Sequence, residues 1–254
     1  MQTQVEKGNG HKGLALPPGF DPSAYADSET VVLVTIEGKS PMLQHAMTED
    51  TVVNVLIRGE RPQKDKTAKL EDIAKLGLYL GPKGEFGIKS DCLFACLREA
   101  GRMVKFDGRK SISTATSTML PSFLTIEPPI DEGDGFIPFV GEAKWVHVVH
   151  RGNLKNAGKE TAVGIVRPRF DKWALQTRVV ISPEGGITEE TVKTLISVAG
   201  RRVGLGAFRP QKNGQFGRFT LTGWEVLKAR TVEASTATPT GDGEEEGEGT
   251  SDTE

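Results

Sequence analysis

The stretch Lys172–Leu227, KWALQTRVVISPEGGITEETVKTLISVAGRRVGLGAFRPQKNGQFGRFTLTGWEVL, decides the fold. In its opening residues Trp173, Leu175, Thr177, Val179 and Ile181 fall on one side of an extended chain and Gln176 and Arg178 on the other. That alternation predicts a strand with one packed and one polar face, as antiparallel sheets allow. Thr188 then reads as a helix N-cap, Glu189 and Glu190 suit the positive end of the helix dipole, and Val192, Leu195, Ile196 and Ala199 recur at helical spacing. Gly200 is expected at the C′ position where this helix stops. A last strand is predicted over 216–227, with Phe219 and Leu221 opposed to Arg218, Thr220 and Thr222 and a bulge at Gly223. The closing order is therefore strand, helix, strand.

Between that helix and that strand, residues 200–219 hold Gly204, Gly206, Gly214 and Gly217 among Arg201, Arg202, Arg209, Lys212 and Arg218, with no acid. Glycine permits positive φ and close approach of a backbone, so successive N–H groups are expected to converge on an anion that the basic side chains also attract. Phosphate fits that description. Dinucleotide folds and P-loops place glycines after a strand and before a helix; here the order is reversed and the loop holds no Gly-Lys-Ser/Thr. No nucleotide cofactor is expected. The competing reading is a flexible connection whose arginines simply face water.

A chain of 254 residues can bury a substantial core. No apolar run approaches the length of a membrane span and the N-terminus lacks a secretory pattern, so a soluble, cytoplasmic protein is expected. Cys92 and Cys96 lie four apart in a predicted helix without nearby histidines, which reads as buried free thiols and not as a zinc site. The acids Glu233, Asp242, Glu244, Glu245, Glu246, Glu248, Asp252 and Glu254 crowd residues 231–254, where there is no base. Residues 30–230 thus form a basic body, preceded by a Gly- and Pro-rich arm over 1–29 and followed by an acidic tail expected to be disordered. Such a tail either solubilises, recruits protein partners or competes with nucleic acid for the basic surface.

Further upstream, Val31–Ile36 is apolar on both faces and suits a central strand ended by Gly38, Ser40 and Pro41. Short helices are predicted over 67–76, with Glu71 and Lys75 at i, i+4, and from Ser90 or Asp91, with Leu93, Cys96, Leu97, Ala100 and Met103 as a core stripe. Residues 104–121 carry Lys105, Arg109 and Lys110 and then a Ser/Thr run. Little in that segment can be buried, so it reads as a mobile insertion, either dispensable or able to order against phosphates. Strands are predicted at 123–127, 136–140, 144–150 and 162–166. Strand 30–38, helices over 67–103 and strand 144–150 repeat the closing order in stretched form. Two such halves make an α+β, ferredoxin-like domain: an antiparallel sheet with helices on one face, long insertions and a C-terminal glycine-rich loop. RNA-recognition modules share that architecture and use the open sheet face and its flanking loops.

The loop from Gly204 to Phe219, a Gly-x-Gly followed by a basic stretch and Gly-Gln-Phe-Gly, resembles the C-terminal glycine-rich loop of the RAMP superfamily, which includes RNA-binding backbone subunits of CRISPR effector complexes. The chain is also similar to uncharacterised bacteriophage proteins that pair Gly38–Leu43 with Arg167-Pro168-Arg169-Phe170, Trp173 and the same closing loop. The first resemblance implies a single strand, RNA or DNA, held by its backbone with the loop beside phosphates and subunits associating along it. That role is carried over to Gly204, Gly206, Gly214, Gly217, Arg209, Lys212 and Arg218, with Arg167 and Arg169 as a second basic pair. Phe208, inside the loop, is the first candidate for base stacking; Phe216 and Trp173 are further ones, though strand aromatics are more often core. Some RAMP proteins cleave RNA with a histidine soon after the first strand, where His45 stands. One histidine without an identifiable partner is thin support, and His147 and His150 read as packed or surface residues, so a non-catalytic binder is expected. The alternatives are a phage assembly protein whose loop contacts a neighbouring subunit, and a RAMP-type endoribonuclease. No metal or other cofactor is expected.

Overall fold

The structure is a computed structural model that describes residues 29–47, 52–59, 67–106, 108–131, 135–156, 159–182 and 187–227. The arm expected before residue 29 and the acidic tail lie outside the described residues. In chain order the elements are β1 (Thr30–Gly38), β2 (Met42–Leu43), a π-helical turn (Val52–Ile57), α1 (Leu70–Lys75), β3 (Gly87–Lys89), α2 (Ser90–Ala100), α3 (Leu120–Phe123), β4 (Leu124–Glu127), β5 (Phe136–Pro138), β6 (Trp145–Asn156), β7 (Lys159–Phe170), β8 (Ala174–Ile181), α4 (Glu189–Val198) and β9 (Phe219–Val226).

The main sheet runs β4-β8-β1-β9 with every neighbouring pair antiparallel. Taking β1, α2, β4 and β8, α4, β9 as the two halves, this is the split βαβ order of a ferredoxin-like domain. Alternation sets its two faces. Val32, Val34 and Ile36 of β1 and Leu175, Val179 and Ile181 of β8 are buried with Leu93 and Leu97 of α2 and Val192, Leu195 and Ile196 of α4. Trp173 and Thr177 complete the packed face predicted for β8. A capping box holds the start of α4, with Thr188 Oγ1 accepting from the Thr191 N–H at 3.2 Å. The register of β1 against β9 shifts between Thr35 and Ile36, opposite Gly223 and Leu221, which is the expected bulge.

Three expectations are corrected. The second strand of the first half is 124–127, not 144–150; the latter belongs to the long β6–β7 hairpin, which with β2 forms a separate sheet ordered β2-β7-β6. Charge and hydroxyls dominate 104–121, yet Val104, Ile112 and Leu120 are buried with Ser113, and Ser113 N donates to Gly101 O at 3.0 Å. The described part of the segment is thus packed onto the end of α2 rather than being an excursion. Finally, α4 does not stop at Gly200 but continues as a π turn over Ala199–Val203, and Gly204, at φ +76°, takes the left-handed exit. Gly200 is needed for another reason: a Cβ there would collide with the Phe219 backbone carbonyl where β9 begins.

Gly200→Ala is expected to cost about 1–3 kcal/mol of stability by this overpacking. Gly164→Ala, on β7 with open space around it, is expected to stay within about 0.5 kcal/mol of the parent. Urea unfolding of the two variants checks the contrast.

Candidate nucleic-acid interface

The glycine-rich loop is built by backbone packed on backbone. Leu205 N donates to Gly217 O at 2.9 Å, Ala207 N to Leu43 O at 2.7 Å, Gly217 N to Pro41 O at 2.8 Å and Phe216 N to Phe208 O at 3.2 Å. Gly204, Gly206 and Gly217 have φ near +70 to +80°. A Cβ at Gly206 would strike the Leu43 carbonyl, one at Gly214 the Phe208 carbonyl and one at Gly217 the Leu205 carbonyl. The glycines therefore let the loop fold on itself and dock on β2. Most of the N–H groups expected to converge on an anion are committed within the protein, so an anion here must be held chiefly by side chains.

Those side chains divide into two groups. Arg218 lies at the exposed start of β9; its N–H donates to Ser40 Oγ at 3.0 Å and its Nη1 to Arg201 O at 2.9 Å. Lys39 N donates to Arg218 O at 2.7 Å, which brings Lys39, Arg201 and Arg218 to one end of the main sheet. Lys39, Arg201, Arg202, Lys212 and Arg218 are all exposed, and none has a carboxylate partner among the described residues. Arg209 behaves differently. Its Nε and Nη2 donate to Gln211 Oε1 at 3.1 and 3.0 Å and its Nη1 to Gly206 O at 3.0 Å, while Gln211 Nε2 donates to Glu99 Oε2 at 2.8 Å. This arginine holds the loop in shape.

The second sheet adds Arg167 and Arg169, whose cross-strand partners on β6 are Val148 and Val146. Arg169 is tied to Asp171, Nε to Oδ1 at 2.9 Å. Arg167 Nη1 donates to Val166 O at 2.9 Å, and its guanidinium, half-buried, sits close enough to His45 to disfavour a second positive charge. Phe208, held at φ +50°, lies with its ring centroid 5.6 Å from that of His150 on β6, and Phe216 meets the same imidazole edge-on at 5.4 Å. His150 thus pins the loop to the hairpin, as a packed residue. Trp173 is removed from the stacking candidates: it is buried, its Nε1 donates to Ser40 O at 2.9 Å, and it leaves no room for a side chain at Gly38.

The open face of the main sheet does not resemble an RNA platform. Cross-strand neighbours place Leu33, Thr35 and Glu37 of β1 beside Gln176 and Arg178 of β8, Glu127 of β4 and Glu225 of β9, with no aromatic among them. Arg178 is neutralised by Glu127 at 3.4 Å. Stacking aromatics and a net positive surface are what single strands require, and this face has neither.

Sequence reasoning passed over Tyr79 and Gln44. The Gln44 side chain is fully buried, donates to Gly87 O at 2.7 Å and accepts from Tyr79 N at 3.0 Å; the Tyr79 hydroxyl reaches His45 O at 3.4 Å. A glutamine one residue past a short apolar strand carries no pattern that announces burial. Desolvation raises the Tyr79 phenol above its ordinary value. Burial, with Arg167 nearby, holds the His45 imidazole below its usual pKa, so it is neutral at pH 7. Burial also raises the half-buried Cys92 thiol and pushes Cys96 up to about 12; neither is an activated nucleophile. No metal-binding cluster of His, Cys, Asp or Glu occurs among the described residues, and no described helix is long and apolar enough to cross a membrane.

The fold defines a ferredoxin-like α+β domain with an added hairpin sheet. No protein-family model matches the chain, and no curated protein matches it in sequence. Among solved structures, it is similar to a chain of the Type III-B Cmr-beta complex bound to cognate target RNA, at 14% identity and a TM-score of 0.47 over 82% of this chain, which spans 64% of that one. It is also similar to Cmr6 from Pyrococcus furiosus, at 10% identity and a TM-score of 0.38 over 77% of this chain and 99% of that one.

The depressed His45 pKa has a definite sign in stability. The unfolded chain takes up this proton first as pH falls through about 6.5, so His45 lowers stability progressively below that pH and contributes nothing to pH dependence above it. His45→Asn is expected to flatten this part of the stability profile. In an NMR titration Arg167→Gln is expected to move the His45 midpoint upward, towards but not onto the ordinary value, because burial is the larger cause.

Proposed function

We propose that this protein binds single-stranded nucleic acid by its phosphates, through side chains grouped around the glycine-rich loop, without cleaving it. The observation that carries this reading is the set of exposed cations Lys39, Arg201, Arg202, Lys212 and Arg218 around the loop, none with a carboxylate partner among the described residues, while the open sheet face holds Glu37, Glu127 and Glu225. Unpaired surface cations on one loop favour a polyanion, and releasing its counterions supplies the affinity. Arg167, half-buried beside His45, adds a positive charge on the hairpin. Phe208 and Phe216 both pack on His150 and are only half-exposed, so stacking on a base falls to what remains exposed.

The non-catalytic part of the proposal rests on His45. Its imidazole has no side-chain partner among the described residues that would orient it, and Tyr79 addresses its backbone carbonyl instead. Association of copies along the strand is part of the same reading, as the resemblance to RAMP proteins implies. An assembly protein using the loop for subunit contacts is the rival, and the two differ in their response to salt.

Fluorescence anisotropy of labelled single-stranded RNA, single-stranded DNA and duplex DNA over a salt series tests the proposal. Single strands are expected to bind with log K falling by about 0.7 per neutralised phosphate for each unit of log salt. An Arg201/Lys212/Arg218 triple alanine variant should be shallower by about 2 on that scale. Arg209 is left intact because its loss would disturb the loop itself. His45→Ala is expected to bind as the parent does, and the strand should emerge uncut from both. Absence of strand binding at low salt overturns the binding reading, and RNA cleavage that His45→Ala abolishes overturns the non-catalytic one.

A further inference from the structure

A cavity of about 300 Å³ opens between β2, the first turns of α2 and the Gly204–Ala207 segment of the loop. Its walls include Met42, Ile88 and Ala95, with the half-buried thiol of Cys92, and its polar side chains are Tyr79, His45, Arg209 and Gln44, the last already paired within the protein. No carboxylate lines it. We infer that this cavity receives one nucleotide unit, its base lodged against the apolar wall and its phosphate towards the loop. The inference rests on the reading of the loop as a phosphate-binding surface and assigns it a specific subsite.

Size, charge and the state of each polar group support this. The volume lies at the small end of the range for ligand pockets, enough for one base with its sugar and too little for two stacked nucleotides. Arg209 uses three of its five N–H donors to hold Gln211 and Gly206, which leaves two for a ligand and fixes the plane of the guanidinium. A fixed planar cation can stack on a base or donate to its edge. His45, held neutral at pH 7, can donate from one ring nitrogen and accept at the other, as the edge of a base demands, while the Tyr79 hydroxyl, whose proton goes to His45 O at 3.4 Å, offers its oxygen as an acceptor. The walls are rigid before any ligand arrives. Gln44, fully buried, ties β3 to the Tyr79 backbone, and the chain Glu99–Gln211–Arg209–Gly206 ties α2 to the loop. Prepaid ordering of that kind favours binding. The mouth adjoins the loop, so a strand lying on the cations can turn one base inward.

The experiment compares an intact single strand with a strand of the same length that lacks all bases, and uses adenosine and uridine monophosphates and inorganic phosphate as free probes. Ala95→Leu fills the cavity without changing charge. The full-length parent should prefer the intact strand by on the order of tenfold, the scale of one base stacked in a site. Ala95→Leu should lose that preference and keep the salt slope. A second readout, independent of how the variant folds, uses the parent alone: Cys96 is buried, so alkylation of Cys92 by iodoacetamide reports on the cavity, and a mononucleotide should slow it while inorganic phosphate does not. Strand binding without base preference and without protection of Cys92 overturns the cavity assignment and leaves the phosphate reading standing. Protection by mononucleotides without strand binding keeps the nucleotide site, makes the ligand a free nucleotide and overturns the strand reading. Equal protection by phosphate, or base preference that survives Ala95→Leu, overturns the inference.

Discussion

The contact on which the rest of the molecule depends is the one between two stretches of bare backbone, Gly204–Ala207 and Pro41–Leu43. Ala207 N on Leu43 O, Gly217 N on Pro41 O and Leu205 N on Gly217 O join the end of the ferredoxin-like sheet to the hairpin sheet. Met42 and Leu43 are fully buried beneath that seam. A side chain at Gly206 or Gly217 would meet a carbonyl oxygen, so the seam exists only because those residues lack a Cβ. With it in place, the loop has a fixed position over β2 and the cavity has a second wall. Buried peptide groups must be paired, and here each strand of the seam supplies what the other lacks.

This division of labour changes what the glycines mean. Glycine-rich, basic loops suggest N–H groups aimed at an anion, because positive φ turns successive amides to one side. In this loop the amides of Leu205, Ala207, Gly214, Phe216 and Gly217 are answered by protein carbonyls. Glycine is used for close packing, and the charge stays on side chains at the rim. Arg209 marks the border between the two: three of its donors hold the loop's shape, and the residue lines the cavity.

Periodicity made much of this architecture legible. The alternation of Trp173 to Ile181, the Thr188 cap and the helical stripe to Ala199 required no tertiary knowledge, and they correspond to β8 and α4. The first half was harder to read because pairing partners, not patterns, decide which strand closes it. Leu124–Glu127 and Trp145–Asn156 both read as strands, and only the register against β8 distinguishes the edge strand of the main sheet from the hairpin. Residues 104–121 misled by composition: a stretch of mostly hydroxyl side chains conceals that Ser113 and Thr118 bond each other at 2.8 Å and that Val104, Ile112 and Leu120 anchor the segment to the core. The loop's basic residues were legible as a group, but not the difference between Arg209, turned inward, and Lys212, exposed. That difference comes from Gln211 and Glu99, one of them 112 residues away from its partner.

The distribution of charge follows from the same geometry. An open antiparallel face is the surface an RNA-recognition module uses, yet here β1, β4 and β9 each place a glutamate on it, and Arg178 is spent on Glu127. Strand residues on such a face are fixed in register, so their side chains can be paired cheaply and neutralised. Loop residues at the sheet's end have no cross-strand partner to neutralise them, and Lys39, Arg201, Arg202 and Lys212 are exposed without a carboxylate partner among the described residues. Electrostatic potential adds over neighbouring unpaired charges and cancels over paired ones. Among the described residues, positive charge is therefore left unpaired at the end of the sheet, while the open face carries three glutamates against one paired arginine.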